Sequence, residues 1–129
     1  MYRIDIAKAT RANEAFRRVV HTTGHVQLVV MTLQPGEEIG SEVHEHIDQV
    51  LAFVDGAVRA DVAGEVSEVG PGDLVVVPAG TQHNFINVGA EPARLYTLYS
   101  PPDHAPDTVH LTKQDAERDE HDIPSPESS

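Results

Sequence analysis

Apolar and polar residues alternate along this chain in two rhythms. Residues 5 to 18 carry Ala, Lys, Glu and Arg, with apolar positions at Ile6, Ala9 and Ala12. That spacing predicts a short N-terminal helix. The texture then changes. "RRVVHTT" and "HVQLVVMTL" are rich in Val, Leu and Thr and are separated by Gly24, so they read as two strands joined by a turn. Pro35–Gly36 marks the next turn, and Asp55–Gly56, Ala63–Gly64 and "GPGD" at 70–73 mark three more. "LVVVP" reads as a buried strand stopped by Pro78. "HNFINV" and "ARLYTLYS" add two strands around "GAEP". Short strands with Gly/Pro punctuation predict an all-β sandwich or barrel rather than βαβ units.

After Ser100 the pattern shifts again. "PPDHAPD" is Pro-rich and extended, and "LTKQDAERDE" predicts a short helix capped by Thr112, with Asp115 three positions on. The last residues, "HDIPSPESS", are expected to be disordered. The expected organisation is therefore a helical arm over 1–18, a barrel over 19–100, and a Pro-rich extension with an acidic, partly disordered tail over 101–129.

Composition narrows the possible functions. The chain has 129 residues, enough for one domain with a single core. Its formal net charge of −12 argues against nucleic acid as a partner. With no cysteine, a disulfide scaffold, a Cys-based zinc site and a Cys nucleophile are all excluded. The first residues, "MYRIDIAKATRANEAF", contain no apolar signal core, and the longest apolar runs are too short to span a bilayer. A cytoplasmic, soluble protein is expected.

Eight histidines are present, and three of them form a pattern. His44 and His46 alternate, so on a strand both rings would point to one side. His83 enters a later strand just after a turn. Two neighbouring ligands plus one from a distant strand can build a three-nitrogen metal site. An edge strand would equally carry "HEH" as solvated residues.

Longer motifs favour the first choice. "GDLVVVPAGTQHNFIN" places Gly72, Pro78, Gly80, His83 and Asn87 at the spacing G-x5-P-x-G-x2-H-x3-N. In this the chain resembles the cupins. The other cupin motif is a Gly, five residues, H-x-H, a gap, an acidic ligand, six residues and a Gly. It matches in part, through His44, His46, Gln49 and Gly56, while Gly40 stands too close to His44 for the first position. The resemblance covers roughly residues 26 to 100. The wording at 35–49, 76–87 and 95–110 is similar to small cupins sometimes labelled mannose-6-phosphate-isomerase-like.

The resemblance implies a cupin-type double-stranded β-helix, a jelly-roll barrel, with a short N-terminal helix. It also implies a homodimer and one divalent metal ion per chain: Zn, Mn, Fe, Ni or Co. The ligands it implies are His44, His46 and His83, with Gln49 as the fourth and Asp48 as its rival. Gln49 has the wrong strand parity for His44 and His46, so it reaches the metal only if the chain shifts phase near Ile47–Asp48. A neutral Gln49 would leave the full charge of the ion, whereas Asp48 would reduce it by one. Phe53, Tyr96 and Gln27 are candidate substrate contacts. His104 and His110 lie in a segment able to pack over the barrel, and Arg59 and Arg94 are the cations considered for holding an anion. Asn87 is expected to bond turn backbone. The expected function is a metal-dependent enzyme on a small polar metabolite, isomerase-like or dioxygenase-like. The alternatives are a non-catalytic cupin that binds a sugar or organic acid, and a metal-free barrel that hydrogen-bonds a sugar directly.

Overall fold

The computed structural model describes residues 1–122 of the chain. Of the tail expected to be disordered, His121 and Asp122 fall in the second helix, and the residues from 123 on lie outside those described. Strands dominate. β1 (Arg17–Thr22), β2 (Gln27–Leu33), β3 (Asp48–Asp55), β4 (Val58–Val62), β5 (Glu65–Val69), β6 (Leu74–Val77), β7 (His83–Asn87), β8 (Ala93–Ser100) and β9 (Val109–His110) lie between α1 (Ile6–Ala12) and α2 (Lys113–Asp122). They form a six-stranded sheet in the order β6-β3-β8-β2-β1-β9 and a three-stranded sheet in the order β5-β4-β7. Every pairing within them is antiparallel. The helix expected from Ile6, Ala9 and Ala12 forms, and Asp5 caps it by accepting from Lys8 N. Thr112 caps α2 in the same way, through Asp115 N. The large sheet begins at Arg17 and takes in Val109–His110 at its edge, on either side of residues 19–100.

Strand parity decides which side chains meet inside. On β8, Ala93, Leu95, Thr97 and Tyr99 are buried, while Arg94, Tyr96 and Leu98 are only half-buried. Opposite residues share a face, so Tyr99 lines up with Gln27 and Gln49, and Leu95 with Met31 and Phe53. The interior therefore has two ends. Leu33, Met31, Phe53, Phe85, Leu95 and Val58 make one end apolar, with the Phe53 and Phe85 rings 5.8 Å apart. Gln27, Gln49, Thr97, Tyr99 and His83 make the other end polar, and all five are buried.

The loop after β2 completes the smaller sheet without being a regular strand. Residues 37 to 42 run antiparallel to β7: Asn87 N donates to Glu37 O, Ile39 N to Phe85 O, and Glu42 and His83 exchange both backbone bonds. Asn87 serves this framework. Its Nδ2 donates to Leu33 O and Glu91 O, and its Oδ1 accepts from Gly89 N.

Two glycines separate conformational strain from steric limit. Gly64 (φ +81) follows Ala63 (φ 53) in the two-residue turn from β4 to β5, where both residues need positive φ. A Cβ there would meet nothing within 4 Å. Gly56 (φ +98) also lacks space, because a Cβ would lie 2.7 Å from Ala93 Cα. Gly64→Ala is expected to cost about 1 kcal/mol of stability, from φ alone. Gly56→Ala is expected to cost at least about 2 kcal/mol more, because β3 and β8 must also part. Urea unfolding of the two variants checks this, and equal losses would refute the packing role.

Candidate metal centre

His83 opens β7, and its backbone bonds to Glu42 in both directions: Glu42 N to His83 O at 2.9 Å and His83 N to Glu42 O at 3.0 Å. This bridge puts the two side chains on one side of the ladder. His44 follows two residues after Glu42 and keeps its parity. Its backbone is held by Gly80, whose N donates to His44 O at 2.7 Å. One ligand atom each from Glu42, His44 and His83 then lies within 4.8 Å of the others. Glu42 Oε2 and His44 Nε2 are 2.8 Å apart, and the two imidazole centroids 5.4 Å apart.

The states of His83 and Glu42 suit a divalent ion. His83 Nδ1 lies 2.9 Å from Thr81 O, so this nitrogen carries the proton and donates. The lone pair is then on Nε2, which is buried and has no hydrogen-bond partner. A ligand histidine is fixed in this way, with its other nitrogen tied to a carbonyl. Burial pulls the His83 imidazole below its ordinary pKa. The Thr81 bond and the Glu42 charge oppose that fall, and the His44 charge adds to it. Burial pushes the Glu42 carboxyl up, but the His44 hydrogen bond and the charges of Arg17, His44 and His83 outweigh it, and the net direction is down. A neutral imidazole and an ionised carboxylate are the forms that bind metal.

The expected ligands part company here. His44 and His83 come together, but His46 is exposed on the turn Glu45–His46 that follows His44. That turn ends the alternation before His46 can share it, and Glu42 stands in its place in the cluster. The motif fits once its frame moves back by two. Gly36, with φ +82, precedes Glu42 by five intervening residues, Glu42-x-His44 replaces H-x-H, and Gln49 and Gly56 follow. The same turn resets the parity that set Gln49 apart. Gln49 is 1% exposed, Nε2 donates to Thr97 Oγ1 at 3.0 Å, and its buried Oε1 has no partner. Asp48 is exposed and accepts from Ala79 N.

The three candidate substrate contacts also separate. Tyr96 sits on the outer face of β8, in a groove shared with Ile6, Ala7 and Arg11, because its parity is that of Ala52 and Val30 rather than of Thr97. Tyr99 occupies the inner position, with its ring edge-on to His44 at 6.1 Å. Phe53 belongs to the apolar end, against Phe85. Gln27 is fully buried and fastens the segment after β8: its Oε1 accepts from Asp103 N and His104 N, and its Nε2 donates to His104 O.

This fastening carries Asp103 and His104 over the polar end. Asp103 Oδ2 lies 4.0 Å from His44 Nδ1 and 3.5 Å from His104 Nε2. The His104 ring is edge-on to Tyr99 at 5.2 Å. Sequence reading singled out neither Glu42, Asp103 nor Arg17. The signals were there: Glu42 shares the alternation of His44, Asp103 precedes a histidine already noted, and Arg17 alternates with the apolar Val19. Arg59 is exposed on β4, and Arg94 reaches outward to Arg11 O and Glu14.

A small antiparallel β-barrel with a Glu-His-His group at one end, its two histidines buried, defines the class. The chain belongs to the cupin family: the Cupin domain model matches residues 29–99. The YrkC protein of Bacillus subtilis is 40% identical over 88% of this chain, and the match spans 64% of that protein's own length. The crystal structure of BH2720 from Bacillus halodurans is 37% identical, with a TM-score of 0.90 over 91% of this chain and 93% of that one. The polyketide synthase CurC of Streptomyces cyaneus is 30% identical over 70% of this chain and 57% of its own. Among the described residues no helix is long and apolar enough to cross a membrane.

His104 gives the closed pocket a measurable pH signature. Burial, joined by the charges of Arg17, His110 and His44, lowers its pKa to about 2. An unfolded chain takes up this proton near the ordinary imidazole value of about 6.5. Below that pH the unfolded state holds one more proton, so stability falls as the medium becomes more acidic. In metal-free protein, His104→Gln is expected to lose less Tm than the unsubstituted chain between about pH 7 and about pH 5. A loss as large or larger would show that His104 does not set the acid response.

Proposed function

We propose that this cupin is a metal-dependent enzyme acting on a small polar metabolite at the polar end of the barrel. The observation that carries the reading is the Glu42–His44–His83 group, with the buried, unpartnered Nε2 of His83 facing it. Glu42, His44 and His83 would hold the ion, and the Oε1 of Gln49 is the further oxygen available to it. A carboxylate and two neutral imidazoles leave a divalent ion with one net positive charge. When bound, the ion supplies Lewis acidity to an oxygen of the metabolite.

The chain's own groups would do the rest. Gln27 holds Asp103 and His104 as a cover that keeps water out. Asp103 and Tyr99 stand beside His44, where a proton can be taken up or returned. These groups favour isomerase-like proton transfer. The donor set itself supports a second reading, since two histidines and a carboxylate with open positions also suit O2-dependent oxidation at Fe(II). A barrel that only binds its ligand would keep the cluster and show no turnover. Homodimerisation belongs to the same proposal. Leu74 and Val76, on the edge strand β6, are more than half exposed and offer an apolar face.

Metal content of purified variants tests the site. His83→Ala is expected to abolish retention of Zn, Mn, Fe, Ni and Co. Glu42→Gln is expected to weaken affinity at least about tenfold, and His46→Ala to leave it unchanged. Metal kept by His83→Ala, or lost on removing His46, would refute the assignment. Turnover of a metabolite panel at the same rate with and without O2 selects proton transfer, and dependence on O2 selects oxidation. Light scattering on the same metal-loaded preparation is expected to give twice the chain mass, and a monomer would refute the dimer.

A further inference from the structure

One buried charge in the interior is not among the residues that would hold the metal. Arg17 lies opposite Met31 on β2 and His110 on β9, and it is 2% exposed. One end of its guanidinium is fixed. Nη1 lies 3.4 Å from His110 Nδ1, and His110 Nε2 lies 2.7 Å from Asp119 Oδ2. An arginine can only donate, so Nδ1 accepts, and the His110 proton sits on Nε2 and goes to Asp119. The relay ends in a neutral imidazole and gives the guanidinium no counter-charge of its own.

A second nitrogen of the group is unsatisfied. Arg17 Nε is buried without a hydrogen-bond partner. None of the ion pairs among the described residues includes Arg17. The Phe16 ring, 5.4 Å from the guanidinium carbon, offers a weak cation–π contact only. A buried ion with no counter-ion in direct contact costs several kcal/mol. Its charge is felt at both Glu42 and His104, so it bears on the same pocket.

Charge balance points the same way. Glu42 and Asp103 both lie against His44, and together with the guanidinium, whose charge reaches Glu42, they sum to one negative charge. A bound divalent ion turns this into one positive charge, which a single carboxylate neutralises. A guanidinium edge takes a carboxylate side-on through parallel hydrogen bonds.

We propose that Arg17 is the anion anchor of the pocket and that the ligand is a small carboxylate, held at Arg17 while another of its polar groups meets Glu42, His44 and His83. The substrate class rests on the metal reading above, but the anchor can be tested apart from it.

Thermal unfolding of metal-loaded protein is compared in chloride, acetate, succinate and phosphate at equal ionic strength, and with neutral succinamide. Acetate or succinate is expected to raise Tm above chloride by at least about 3 °C. Arg17→Met should lose that rise and Arg17→Lys keep part of it, while succinamide gives none. A role confined to the His110–Asp119 relay would change the baseline Tm and not the response to anions. The proposal is overturned if no carboxylate exceeds chloride, if phosphate alone does, if succinamide matches succinate, or if Arg17→Met keeps the rise. Should Arg17→Met fail to fold, the succinate–succinamide difference and Arg17→Lys decide. The series is repeated on protein stripped with EDTA. Metal retention without a carboxylate response sinks the anchor alone. An Arg17-dependent response in a chain that never holds metal sinks the metal reading and leaves the anchor standing.

Discussion

Two backbone hydrogen bonds between Glu42 and His83 hold the polar end of the barrel together. They join a loop that has no regular strand of its own to the first residue of β7. Everything at the site follows from that registration. Slipping the loop by one residue would turn Glu42 and His44 to the other face and separate both from His83. The loop stays in register because Ile39 is buried among the core residues and donates its N–H to Phe85 O, and because the Asn87 backbone bonds to Gly36 and Glu37. The apolar end thus acts as the clamp for the polar end. Phe53, Phe85 and Leu95 fill it, and truncating such a side chain typically costs about 3 kcal/mol or more.

The polar end runs against the usual economy of a core. His83, Gln49, Gln27, Arg17 and Thr97 are all buried, and Gln49 Oε1, His83 Nε2 and Arg17 Nε are buried without hydrogen bonds. Each such atom costs about 1 to 3 kcal/mol. An apolar set would make a more stable barrel, so the arrangement is one that ligands complete. On the proposed reading, a cation would answer the lone pair on His83 and an anion the guanidinium of Arg17, needs that are opposite in sign.

Much of this was legible in the sequence. Gly72, Pro78, Gly80, His83 and Asn87 describe a strand, its stop and the entry of the next strand, and those positions behave as their chemistry requires. Leu51 and Phe53 share the parity of Gln49 and are buried with it. The first half of the site was harder to read. The turn at Glu45–His46 contains neither Gly nor Pro, so nothing in its composition marks where the alternation breaks. Without that break, His44 and His46 look like the pair, and Glu42 looks like a surface acid. The role of Asp103 was illegible for another reason: it depends on Gln27, far away in sequence, tying down the backbone at 103–104. Tyr96 and Tyr99 could be told apart only by register, which fixes Tyr99 opposite Gln27 and Gln49.

The frame shift changes the chemistry of the centre more than its location. A set of three histidines and Gln49 would leave a doubly charged ion, whereas Glu42 with two histidines would leave a single charge. X-ray absorption at the metal edge of the loaded protein reads this difference in the scattering of the imidazole rings. The account predicts two imidazoles with oxygen ligands making up the rest. Three imidazoles would place His46 on the metal and contradict it.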